Sequence, residues 1–189
     1  MRWPSNEATA GPGFHRIRGV TAVTERLHRA FLDALEGRVV AHGDIDAKPL
    51  NVDLGPPLPL RLRLYLYSLV VGGKTRPGEF KAVLRVPGQV VGEYGTFDHS
   101  GERLALLAGY REDLDVFVLW DASLHERFKH GGNMQVRDIV VAQAAATGWA
   151  EQRRPLRSSV TEVVFACRSR SLPRALSHRV AWTGGVVVG

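Results

Sequence analysis

The stretch LRLRLYLYSLVV, residues 60–71, sets Leu60, Leu62, Leu64 and Leu66 against Arg61, Arg63, Tyr65 and Tyr67 without a break. A period of two puts alternate side chains on opposite faces of a β-strand, so one face belongs to a core and the other is polar. The turn sequence GGKTRPG follows at 72–78. EFKAVLRV, residues 79–86, then alternates again, with Phe80, Ala82, Leu84 and Val86 opposing Glu79, Lys81, Val83 and Arg85. Two alternating runs around a Gly/Pro turn predict a β-hairpin.

Outward from this hairpin, GPPLP at 55–59 is too rigid for a sheet interior. Val20, Val23, Leu27, Phe31 and Ala34 recur at helical spacing with Gly37 as C-cap, which predicts a helix over about 21–36. Residues 1–19, broken by Gly11, Pro12, Gly13 and Gly19, read as a flexible arm. Downstream, the Gly-rich connection 87–101 leads to RLALLAGY (103–110) and DVFVLWDA (115–122). The latter is apolar on both faces and so a central strand. The polar loop HERFKHGGNMQ (125–135) precedes a helix over about 136–147, with Val136, Ile139, Val140 and Ala144 inward and Gly148 as its stop. VTEVVFACR (160–168) is the last strand, and SLPRALSHR (171–179) a short helix with Ser171 at the N-cap and Pro173 in the first turn. The sum is an α+β fold: a curved, mostly antiparallel sheet, partly barrel-like, with three flanking helices over 20–180 and a tail at 181–189.

Composition agrees with a globular chain. Of 189 residues, 44% are hydrophobic and 23% charged, which excludes disordered and collagen-like classes. The longest apolar runs have strand length, far below the roughly 20 residues that span a bilayer, and the start MRWPSNEATAGPG lacks the apolar segment of a secretory signal. Cys167 is the lone cysteine, which excludes an intramolecular disulfide and fits a reducing cytoplasm. With 25 Lys+Arg against 19 Asp+Glu the net charge is +6, a balance that favours a polyanionic partner.

The polar face of the hairpin gathers Arg61, Arg63, Tyr65, Tyr67, Lys81 and Arg85, with Lys74 and Arg76 in the turn. Cations interleaved with aromatics suit nucleic acid, the cations neutralising phosphates and the rings stacking on bases. A solvated sheet face with arginines paired to Glu79 and other carboxylates is the alternative. Glu79-Phe80-Lys81 has the Glu-x-Lys spacing of PD-(D/E)xK nucleases, in which two carboxylates hold Mg2+ and the lysine steers water. The upstream acid is missing: no Asp or Glu occurs between Asp53 and Glu79, and borrowing Asp98, Asp115 or Asp121 gives an unusual order. The loops holding Asp98, His99, Lys129, His130, Asn133, Gln135 and Arg137 offer groups that read base edges, or else turn and helix-capping chemistry. Trp120-Asp121 suits a base pocket or, more simply, a core tryptophan and a turn. His42, Asp44 and Asp46 are metal-ligand types in a short connector. Between Ala150 and Arg179 lie seven arginines, 153, 154, 157, 168, 170, 174 and 179, against Glu151 and Glu162; this +5 is the footprint of a nucleic-acid binder.

The succession GEFKAVLRVPGQ, FDHSGERLALLAGY, LDVFVLWDA, GGNMQVRD and TEVVFACRSRSL, over about 58–179, resembles a bacterial segment N-terminal to HNH nuclease domains in predicted restriction endonucleases. The resemblance implies a DNA-recognition module that reads modified DNA, with cleavage by a separate HNH domain. The family's aromatic-Ser pair before Asn-x-Gln is His130-Gly131-Gly132 here, and no histidine of this chain is placed for HNH chemistry. The reading is therefore a cytoplasmic DNA-binding module of a restriction or defence system. It needs no cofactor or metal of its own and admits a nuclease subunit or a second copy as partner. A small Mg2+-dependent nuclease using Glu79 and Lys81, or a domain binding an acidic protein, stand as alternatives.

Overall fold

The middle of the 60–71 stretch, Leu62 to Tyr67, is covered on both faces, and that decides how the chain is layered. The computed structural model describes residues 18–74, 76–156 and 159–185. In chain order they form α1 (Arg18–Asp33), β1 (Val39–His42), β2 (Leu50–Leu54), β3 (Arg61–Ser68), β4 (Val70–Val71), β5 (Glu79–Val83), β6 (Tyr94–Gly95), β7 (Leu104–Arg111), β8 (Val116–Trp120), β9 (Phe128–Lys129), β10 (Asn133–Arg137), α2 (Asp138–Thr147), β11 (Trp149–Pro155), β12 (Thr161–Arg168) and α3 (Leu172–Gly185). Most of the arm expected over 1–19, the tail residues 186–189, and Arg157 lie outside the described residues.

Seven strands make one sheet in the order β1-β2-β3-β7-β8-β12-β11, antiparallel throughout except for the β3–β7 pair. The expected α+β fold with three helices and a mostly antiparallel sheet is present. The barrel-like closure is not, because β1 and β11 remain the two edges. A three-stranded sheet, β10-β5-β4, lies over one face of the large one, and β6 pairs with β9 in a short ribbon.

Leu27, Phe31 and Leu35 with Leu172, Ala175 and Leu176 cover one face of the large sheet, against Leu62, Leu64 and Leu66 of β3. On the opposite face, Tyr65 and Tyr67 pack with Ala82, Leu84, Met134 and Val136 of the small sheet and with Val140, Val141 and Ala144 of α2. The expected wet face of β3 is thus a second core. Tyrosine permits this because its ring is apolar and its hydroxyl needs one partner: Tyr65 accepts from the Asp98 amide at 2.9 Å and Tyr67 donates to the Arg85 carbonyl at 3.1 Å. The long hairpin is not formed either. β3 pairs with β2 and β7, and after Leu69 the chain leaves the large sheet, so only Val70 and Val71 of β4 meet β5.

The helix expected from 136 begins at Asp138. Val136 is a strand residue, and Ile139 points outward at 66% exposure, because the inward face runs through Val140, Val141 and Ala144. Gly148, at φ +89°, stops the helix and donates to the Ala144 carbonyl at 2.8 Å. The last helix runs on to Gly185, past the expected end at 179. Among the described residues no helix is long and apolar enough to cross a membrane.

Candidate nucleic-acid interface

The small sheet turns Phe80, Ala82, Met134 and Val136 inward, so the alternate residues form its outer face. Antiparallel register sets Arg137 opposite Glu79, Gln135 opposite Lys81 with Val70 beyond it, and Asn133 opposite Val83. Arg76, from the turn before β5, donates to Oε1 of Gln135 at 3.1 Å and lies 3.7 Å from the Glu79 carboxylate. Five residues expected to touch DNA, in separate segments of the chain, therefore meet on one face: Arg76, Lys81, Asn133, Gln135 and Arg137. Asn133 and Gln135 do not cap α2; its N-cap is Arg137, without a side-chain bond.

This face is fixed from beneath. The Gln135 carbonyl accepts two hydrogen bonds, from Trp120 Nε1 at 3.2 Å and from Arg154 Nη1 at 3.1 Å. Arg154 is itself held by the fully buried Glu162, with Nε 2.6 Å from Oε2. Glu162 also receives the Asp121 amide at 3.0 Å and lies 3.1 Å from Nε2 of His125. Burial raises the pKa of Glu162, but the His125 bond and the Arg154 charge outweigh it and hold the group below its ordinary value. Trp120 and Asp121 are core residues rather than a base pocket; Asp121 accepts from Arg179 at 3.0 Å in the interior.

The other candidates are scattered. Arg61 is exposed, 3.5 Å from Glu102. Arg63 is mostly covered, ion-paired to Asp98 and bonded to the Asp98 and Ser100 carbonyls at 3.2 and 3.3 Å, so it ties the 98–100 loop to β3. Hydrogen bonds from Ser100 and then the Arg63 charge hold Asp98 below the usual carboxylate range. Tyr65 and Tyr67 are buried, while Lys74, Arg85, His99 and Lys129 are exposed. Among the described residues, the arginines of the last segment do not form one cationic surface. Arg154 and Arg179 pair with interior carboxylates, Arg168 lies 3.4 Å from Asp115, and Arg153 and Arg174 lie over the rings of Trp182 and Trp149. Alternation along β11 puts Arg153 on the α3 side, away from the small sheet.

Glu79 and Lys81 do share a face, as their spacing requires. Among the described residues, however, no three His, Cys, Asp or Glu side chains gather to hold a metal, the 42–46 connector included.

One part of the site had no sequence signal. A cavity of about 370 Å³ opens between α1 and the small sheet, with Val23, Leu27, Val70 and Val83 as apolar walls. Lys48, Tyr67, Ser68 and Thr24 also line it, and Lys48 Nζ stands 3.3 Å from the centroid of the Tyr67 ring. Burial pushes the Lys48 pKa down to about 7.

Among protein families, the one described as methylase-associated X1 (MTaX1) matches residues 60–176, which takes in β3 through the first turn of α3 and so the whole small sheet. No curated protein and no solved structure matches. The description names a methylase as the associate and is silent on HNH nucleases. With more than half of its length matched, the chain belongs to the methylase-associated X1 family.

Proposed function

We propose that this chain is a cytoplasmic DNA-recognition module of a restriction-modification system, working beside a methylase, with cleavage supplied by a separate nuclease domain or subunit. The outer face of the small sheet is the surface laid on the duplex. What carries the reading is the convergence of Arg76, Lys81, Asn133, Gln135 and Arg137 on that face. Lys81, Arg76 and Arg137 supply charge for phosphates, while Asn133 and Gln135 carry the paired donor and acceptor that base edges require. The methylase-associated family supports the restriction context.

The test is anisotropy of labelled duplexes (unmodified, cytosine-methylated and phosphorothioated) at stepped salt, with and without Mg2+. The native chain binds with a steep salt dependence. Lys81→Glu with Arg137→Glu lowers affinity about tenfold or more and flattens the salt slope by about one for each phosphate no longer neutralised. Unchanged affinity in that double variant removes this face from the interface. Mg2+-dependent cutting of the duplex, abolished by Lys81→Ala, would replace the reading with the nuclease alternative.

A further inference from the structure

The cavity beside α1 and the cationic face of the small sheet are one continuous surface. Val70 lies directly across from Lys81, and Val83 is two residues beyond Lys81 on the same strand face. Both valines also line the cavity, so a duplex backbone held by Lys81 and Arg76 runs along its rim. The walls are aliphatic and open, Val23 being 37% and Val70 41% exposed. Lys48, Ser68 and Thr24 add polar side chains to the lining. A flat ring with polar groups at its edge fits aliphatic walls interrupted by a few polar side chains. At about 370 Å³ the cavity also falls within the range of roughly 300–1,000 Å³ usual for small-molecule sites.

We propose, resting on the duplex being held by the small sheet, that this cavity receives a nucleobase extruded from that duplex, with the Lys48 amine donating to an acceptor on the base edge. Val23 and Leu27 of α1 flank the ring on one side and Val70 and Val83 on the other. The phosphates of the extruded nucleotide stay on the cations of the sheet. That charge complementarity selects a nucleotide of the duplex over an uncharged metabolite. The Lys48 amine, seated over the Tyr67 ring at the cavity wall, is the cation placed to donate to the base edge.

The experiment uses the full chain and duplexes carrying 2-aminopurine at the centre, either paired with thymine or in a mismatch, which lowers the cost of unstacking. Binding raises 2-aminopurine emission, and the mismatched duplex binds at least about fivefold more tightly than the paired one. Val70→Phe fills the cavity from a half-exposed position, and Lys48→Met removes the donor while keeping the stem. Each abolishes the emission rise and the mismatch preference, and leaves binding to the paired duplex within about tenfold. A native chain that binds duplex with no emission change, or a Val70→Phe variant that keeps the full rise, overturns the cavity assignment and leaves the DNA reading standing. A native chain that binds no duplex overturns both. Free mononucleotide competing as well as the mismatched duplex would make the site a nucleotide pocket and overturn extrusion.

Discussion

Lys48 and His28 are two basic groups that the fold takes out of water. His28 is fully buried with Nδ1 2.7 Å from the Ile45 carbonyl, which can only accept, so Nδ1 carries the proton of a neutral ring. Burial lowers its pKa, and the nearby Lys48 charge acts in the same direction. For Lys48, the unfolded chain titrates at the ordinary 10.5 and the folded one at about 7. Between those values the unfolded chain holds a proton that the folded chain does not, so stability rises with pH across the window. Below 7 both forms are charged, and the cost of covering the ammonium is present in full. Lys48→Met should therefore raise the melting temperature at about pH 6, by about 2–4 °C for each kcal/mol relieved, with the gain shrinking as pH climbs from 7 toward 10.5, because taking the proton off the unfolded chain's amine costs progressively less. A gain independent of pH in thermal melts would refute this account.

Among the elements, β10 does most to shape the site, yet its own ladder is one-sided: within the small sheet it is an edge strand, paired with β5. Its place over the large sheet depends on the Gln135 carbonyl, gripped by Trp120 and by Arg154, and on Arg154 being gripped by Glu162. Glu162→Ala leaves Arg154 without its counter-charge in a mostly covered place, and breaking such a pair costs about 3–5 kcal/mol. A fall in melting temperature on the order of 10 °C is expected, together with weaker DNA binding from a loosened β10. The folded pKa of Glu162 is lowered, so its stabilisation is present above the ordinary value near 4.5 and disappears as pH falls through the folded value. The variant should accordingly lose its stability deficit in acid. A deficit that stays constant down to low pH would show that the loss is one of packing rather than charge.

Across the whole molecule, charge and selectivity separate. The net +6 supplies attraction to any polyanion, while arginines expected to concentrate it are partly consumed inside, Arg179 wholly so. On the proposed reading selectivity falls to the small sheet, where the Gln135 side chain accepts from Arg76 and the clamp beneath acts on its backbone carbonyl. Truncating that side chain leaves the clamp intact. Gln135→Ala should cost about 1–3 kcal/mol on the preferred duplex and little on random DNA, with the melting temperature nearly unchanged. Equal losses on both duplexes would mean that this face does not read sequence or modification.

Alternation and helical spacing were enough to determine the α+β class, the strands β3, β5, β7, β8 and β12 and the stop at Gly148, because these rest on local periodicity; side-chain chemistry named Arg76, Lys81, Asn133, Gln135 and Arg137 only among other candidates, and packing brought these five to one face. Periodicity says which residues share a face. It does not say what covers that face. Tertiary structure alone decided that Tyr65 and Tyr67 are core, since a second sheet folds over them, and that β3 joins β2 and β7 instead of β5. It alone brought Glu162 under Arg154, eight residues away in sequence, and both beneath β10. The cavity at Lys48 had no local pattern to announce it. Its walls come from α1, a loop, β3, β4 and β5, and only the packing of those elements turns a lysine before a proline into a buried amine facing an apolar space.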